Sequence, residues 1–143
     1  MTFSGICLIT NDVCRLSEFY QTVLQTTSDC DDNIHQEIHT LGASLALLKS
    51  ENEESHGNKN ISLAFTVDDV DVEYDRIKKL GISIIDPPTV RPWGAKNMRF
   101  CDPDGNSVVF RSFPYNTRIG INSPACCQLL VVCLRVHGIF CTL

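Results

Sequence analysis

The run WGAKNMRFCDPDGNSVVFRSF, from Trp93 to Phe113, carries the most concentrated turn signal in the chain. At its centre stand Asp102-Pro103-Asp104-Gly105-Asn106. Proline presets φ for an early turn position, glycine accepts positive φ, and Asp and Asn side chains bond their own backbone. Asn97-Met98-Arg99-Phe100-Cys101 precedes the turn and Ser107-Val108-Val109-Phe110-Arg111 follows it. Both runs are short, apolar and β-branched or aromatic, which predicts a two-stranded hairpin. Alternation sends Val108 and Phe110 to one face and Ser107, Val109 and Arg111 to the other. The first face reads as core; the second, mixing small, apolar and cationic groups, suits the wall of a cleft.

Upstream of this hairpin the same succession of elements occurs twice. Residues 6–10 read as a buried strand, Asn11-Asp12 as an N-cap, and Val13, Leu16, Phe19, Tyr20, Val23 and Leu24 as one face of a helix ending near Gln25. Two strands follow, at 34–40 (Ile34 and Ile38 on one face, His35, Glu37 and His39 on the other) and at 44–49. The polar stretch 50–60 reads as an exposed linker. A strand at 61–67, an Asp68-Asp69 cap and a helix carrying Val70, Tyr74, Ile77 and Leu80 then restart the pattern, with Gly81 as the stop. A short strand at 82–85, ended by Pro87-Pro88, leads into the hairpin. Laying Asp12 on Asp69 sets an offset of 57 residues (69 − 12) that places strand on strand and helix on helix. The expectation is an α+β chain of two tandem βαβββ modules, at about 4–50 and 61–113, within one domain of residues 1–113. Residues 114–143 fit neither module: an apolar run at 128–140 is interrupted by Arg135 and His137, and half of the eight cysteines lie there. The run is too short for a transmembrane helix, which needs about 20 apolar residues, and the segment is unassigned.

Composition narrows the partners. A formal net charge of −5 argues against nucleic acid, whose phosphates call for a basic surface. The first residues show no basic stretch followed by a long apolar run, so no secretory signal is read. Without one, and without a CxxC pair, the eight cysteines read as reduced thiols of a cytoplasmic protein.

The order strand, Asn11-Asp12-Val13, helix with Phe19-Tyr20, then Val67-Asp68-Asp69-Val70 and Trp93-Gly94…Asp102-Pro103-Asp104-Gly105-Asn106 resembles the vicinal oxygen chelate superfamily, which includes glyoxalase I, bleomycin-resistance proteins and extradiol dioxygenases. The resemblance covers about residues 4–113. It implies two modules whose sheets curl into an open, cup-like cleft, commonly as a homodimer, with four His or Glu side chains holding a divalent metal in the enzymes. Carried over position by position, those ligands fall on Gly5, near Ala46, on Ser62 and on Val109. Gly, Ala and Val offer no donor and Ser is a poor one, so no metal and no cofactor is expected there.

Other chemistry is sparse. His35, Glu37 and His39 on one strand face read first as a solvated surface, and second as a relocated metal site or general base. His56 reads as solvated, and Tyr20 as core. Trp93 either stacks on a flat ligand or lids the core. Arg111 either pairs with a ligand anion or with a neighbouring acid. Cys7 either lines the cleft or acts as a small hydrophobe. The leading expectation is a metal-free small-molecule-binding protein with Trp93, Arg111, Ser62 and Cys7 at the ligand. The alternatives are a glyoxalase-type lyase or transferase with a relocated metal, and a non-catalytic interaction domain.

Overall fold

The computed structural model describes residues 1–51 and 60–114. His56 and the apolar, cysteine-rich segment of the sequence reading lie outside them. Nine elements follow in order: β1 (Gly5–Thr10), α1 (Val13–Leu24), β2 (His35–Ile38), β3 (Ser44–Lys49), β4 (Ser62–Thr66), α2 (Val70–Lys79), β5 (Ile84–Val90), β6 (Lys96–Cys101) and β7 (Ser107–Ser112).

The strands form two sheets, ordered β1-β3-β2 and β4-β7-β6-β5, and neither closes into a barrel. In each sheet the first strand of the module runs parallel to the last, and the middle strands are antiparallel. This is the tandem-module architecture read from the sequence, with one asymmetry. Where β5 flanks β6 in the second sheet, the first has only an isolated bridge between Ser28 and Ile38. Loop bonds cover that edge of β2: Asp29 N–H donates to Glu37 O and His39 N–H to Thr27 O, both at 3.0 Å. The 57-residue offset holds for the first strands and the helices but grows to 63 (107 − 44) at the last strands.

Both helices start on aspartate. Asp12 accepts from Arg15 N–H at 3.0 Å and Asp69 from Asp71 N–H at 2.8 Å, each satisfying a donor that the first helical turn leaves free. Gly81, at φ +78°, ends α2. One core unites the two modules, from Leu16, Leu45 and Leu47 in the first to Phe100, Val108 and Phe110 in the second. Phe100 meets Phe110 edge-on, with ring centroids 5.2 Å apart, and Phe19 at 6.4 Å.

Two details depart from the sequence reading. The second of the first-module strands is only His35–Ile38; Ile34 lies outside it and is exposed, and Gln36 takes the buried place beside Ile38. Gln36 is tolerated there because its amide is satisfied: Ser17 Oγ donates to its Oε1, and its Nε2 donates to Asp32 O at 2.8 Å. The prolines at 87 and 88 do not end a strand either; β5 runs through them to Val90. It is an edge strand with register shifts on both sides of Asp86, where a missing N–H costs no ladder bond.

The DPDGN turn does more than reverse the chain. Asp102 is 5% exposed and accepts four hydrogen bonds: from Tyr20 Oη (2.7 Å), Asp104 N–H (3.0 Å), Asn106 N–H (2.8 Å) and Asn106 Nδ2 (2.8 Å). The turn of module two is thereby fixed to the helix of module one, and an Arg15–Asp104 ion pair reinforces the link. Burial, and then the Asp102 charge, push the Tyr20 phenol well above the usual tyrosine range.

Tyr20→Phe is expected to cost about 1.5–3 kcal/mol in urea unfolding, the usual range for a bond to a charged group. The folded protein keeps a proton that the unfolded chain gives up near pH ~10, so this contribution is whole below that pH and falls as pH rises. A stability–pH curve should therefore decline less steeply above pH ~10 for Tyr20→Phe than for the unmutated chain.

Candidate functional site

The helices pack on one face of each sheet, leaving the other face open. Alternation gives that open face Cys7 and Ile9 on β1, Ser62, Ala64 and Thr66 on β4, and Arg111 on β7, all exposed. A groove of about 820 Å³ runs between β4 and the first module. Leu45, Leu63, Phe65 and Phe110 supply its apolar wall, and Ser44, Ser62 and Thr66 put hydroxyls along it. The volume lies within the roughly 300–1,000 Å³ typical of small-molecule sites. A smaller recess of about 260 Å³, lined in part by Cys7, Ile9 and Ile61, lies between β1 and β4.

The positions that correspond to the superfamily's metal ligands occupy equivalent places in the two sheets. Gly5 pairs with Ser44 and Cys7 with Ala46; Ser62 pairs with Ser107 and Ala64 with Val109. At position 5 the backbone itself is closed: a Cβ on Gly5 would stand 2.3 Å from the Ser44 carbonyl oxygen. Any side chain there, histidine included, requires β1 and β3 to separate. Ala46 and Val109 carry no donor, and the Ser62 hydroxyl is bonded to Ser107 Oγ at 3.0 Å. These residues do not fit a divalent cation. The relocated trio is not assembled either: among the described residues, no three His, Cys, Asp or Glu side chains are grouped so as to hold a metal ion. His35 and Glu37 do share the open face, but the Glu37 carboxylate accepts from Ser44 Oγ, and exposed His39 lies beyond the end of β2 at the groove's margin.

The structure separates the four residues expected at a ligand. Ser62 lines the larger groove and Cys7 the smaller recess. Arg111 stands next to the larger groove, its Nε donating to Thr66 Oγ1 at 3.3 Å and its guanidinium 5.6 Å from the Phe113 ring centroid, with no acidic partner among its described contacts. Trp93 is 69% exposed in the β5–β6 turn and lines neither cavity. It forms no lid: Gly94 N–H bonds Arg91 O at 2.9 Å in a tight turn that holds residue 93 at the hairpin tip.

Sequence reasoning missed Arg76, which borders the groove from α2. Its guanidinium bonds Glu73 at 2.6 and 2.9 Å and reaches across the module boundary to Val23 O (2.6 Å) and Thr22 O (3.3 Å). Helix α1 has no basic residue in its own last turn, so Arg76 supplies the cation that its C-terminal carbonyls favour. The i,i+3 spacing of Glu73 and Arg76 is visible in the sequence, but it equally describes an ordinary solvated pair.

Residues 2–110 match the Glyoxalase/Bleomycin resistance protein/Dioxygenase superfamily. No curated protein matches the chain. Among solved structures, a conserved domain protein superposes with TM-score 0.72 at 22% identity, covering 80% of this chain and all of its own. A glyoxalase/bleomycin resistance protein/dioxygenase from Nocardioides gives 0.66 at 23% identity, over 86% of this chain and 90% of that one. A lactoylglutathione lyase from Agrobacterium tumefaciens gives 0.63 at 20%, over 76% and 91%. At these identities the likeness is one of fold.

Gly5→Ala is expected to destabilise the protein by about 1–3 kcal/mol, because the new methyl group meets backbone rather than a movable side chain. Trp93→Ala, at the exposed tip, should stay within about 0.5 kcal/mol. Parallel urea titrations of the two variants check both.

Proposed function

The chain belongs to the Glyoxalase/Bleomycin resistance protein/Dioxygenase superfamily, and on that premise we propose that it is a small-molecule-binding protein that acts without a metal at the superfamily's ligand positions. The observation that carries this reading is the closure of position 5 against the Ser44 carbonyl, beside an apolar groove large enough for a ligand. A metal-dependent lyase needs a Lewis acid to polarise its substrate, and the residues facing the open sheet supply no ligand set for one. A binding protein needs only a shaped, mostly apolar wall with a few placed polar groups, and the groove has both. Of the four candidate positions Ser62 is best placed to touch the ligand, with Arg111 just beyond Thr66.

The reading includes a homodimer. Ile9 is 59% exposed on the open face beside Leu48, its register partner, and Ile61 lies near them across the smaller recess. A second copy covering this apolar strip would remove it from water. It also includes the cytoplasm, since Cys7, Cys14, Cys30 and Cys101 are free thiols, as suits a reducing compartment.

Elemental analysis of protein purified without added metal should find no stoichiometric zinc, nickel, manganese or iron. Near-equimolar metal that disappears in the His35→Ala/His39→Ala double variant would overturn the proposal in favour of a metalloenzyme. Sedimentation equilibrium at micromolar concentrations should show a dimer; monomer throughout would contradict the assembly.

A further inference from the structure

We propose that the groove between β4 and the first module takes an uncharged, largely apolar molecule that donates hydrogen bonds, and that it rejects carboxylates, phosphates and sulfonates. This deepens the small-molecule-binding reading and rests on it. Three hydroxyls on the first-module side of the groove set its polarity there. Thr26 Oγ1 donates to the His39 carbonyl at 2.9 Å, Thr40 Oγ1 to the Ala43 carbonyl, and Ser44 Oγ to the Glu37 carboxylate. Carbonyl and carboxylate oxygens only accept, so each of these hydroxyls has committed its single proton. What remains on these three is lone pairs, which suit an incoming N–H or O–H and repel an anion; Thr66, whose Oγ1 accepts from Arg111 Nε, keeps its proton at the Arg111 end of the groove.

The charges along the groove point the same way. Its carboxylate and its guanidinium, Glu73 and Arg76, are bonded to each other, and the His39 imidazole stands exposed at the margin. Arg76 also spends its remaining reach on the Thr22 and Val23 carbonyls. Four of the five guanidinium N–H groups are thus engaged, so an anion could take both faces of a bidentate grip only by displacing Glu73 or uncapping α1. Arg111 lies outside the lining and is exposed, where salt screens its field. Leu45, Leu63, Phe65 and Phe110 complete the selection, since a charged group placed against them loses its hydration without a partner.

Two fluorescent probes with one aromatic body separate the possibilities. N-phenyl-1-naphthylamine is neutral and carries an N–H donor; 8-anilino-1-naphthalenesulfonate is the same body with a sulfonate. With the full chain, the neutral probe should bind at least about tenfold more tightly than the sulfonate. Ala64→Trp, which adds bulk at an exposed position of the groove wall, should weaken it by at least about tenfold. Equal or tighter binding of the sulfonate, sensitive to Ala64→Trp, would overturn the ligand class while leaving the binding reading intact. Neutral-probe binding that ignores Ala64→Trp would overturn the site. Binding of neither probe would overturn the small-molecule reading and this inference with it.

Discussion

One buried carboxylate holds the two halves of this molecule in register. Asp102 sits at the end of β6, accepts two backbone N–H groups and the Asn106 amide of its own turn, and receives the Tyr20 hydroxyl from the helix of the other module. A buried carboxylate with fewer donors would be costly; with four it becomes a rigid joint. Phe19 and Tyr20 lie against each other edge-on and Phe19 meets Phe100, so the aromatic contact and the polar one arise from adjacent residues of α1. Arg76 makes a second tie to the same helix, at its C-terminal carbonyls. The groove borders this second tie, so its width depends on how firmly the modules are joined.

The fold was legible because its signals are local. Asp12 and Asp69 each precede an apolar face of helical period, Asp102 to Asn106 can scarcely be anything but a turn, and the repetition of the whole unit made each half a check on the other. The errors fell where tertiary context overrides a local rule. Pro87 and Pro88 are strand breakers in a central strand but are tolerated in β5 because it lies at a sheet edge. Ile34 reads as core by alternation, yet its place falls before the strand begins, and a glutamine takes the buried position because Ser17 and Asp32 happen to satisfy it.

The site was much less legible. Parity put Arg111 on the open face and the resemblance put Ser62 among the cleft positions, and both are exposed on that face. Parity says nothing of distance along a strand or across a sheet, so it could not show that Trp93 stands at a hairpin tip away from the groove. Nor does the sequence show that Gly5 has no room for a side chain, since that depends on how closely β3 approaches. The groove-lining hydroxyls of Thr26, Thr40 and Ser44 carry no motif; their chemical meaning comes from which carbonyl or carboxylate each one faces.

Gly5 gives the departure from the metal-binding pattern a structural cause as well as a compositional one. Replacing Ala46 or Val109 by glutamate would add a ligand, but position 5 has been given over to the close pairing of β1 with β3. Metal-independent binding in the groove is therefore the central claim, and thermal unfolding tests it most directly. A ligand that binds only the native state stabilises it by about 2.7 kcal/mol at a hundredfold excess over its Kd. With N-phenyl-1-naphthylamine as the ligand, the rise in Tm should be the same in excess chelator as in added zinc. A rise that vanishes with the chelator and returns with zinc would contradict it.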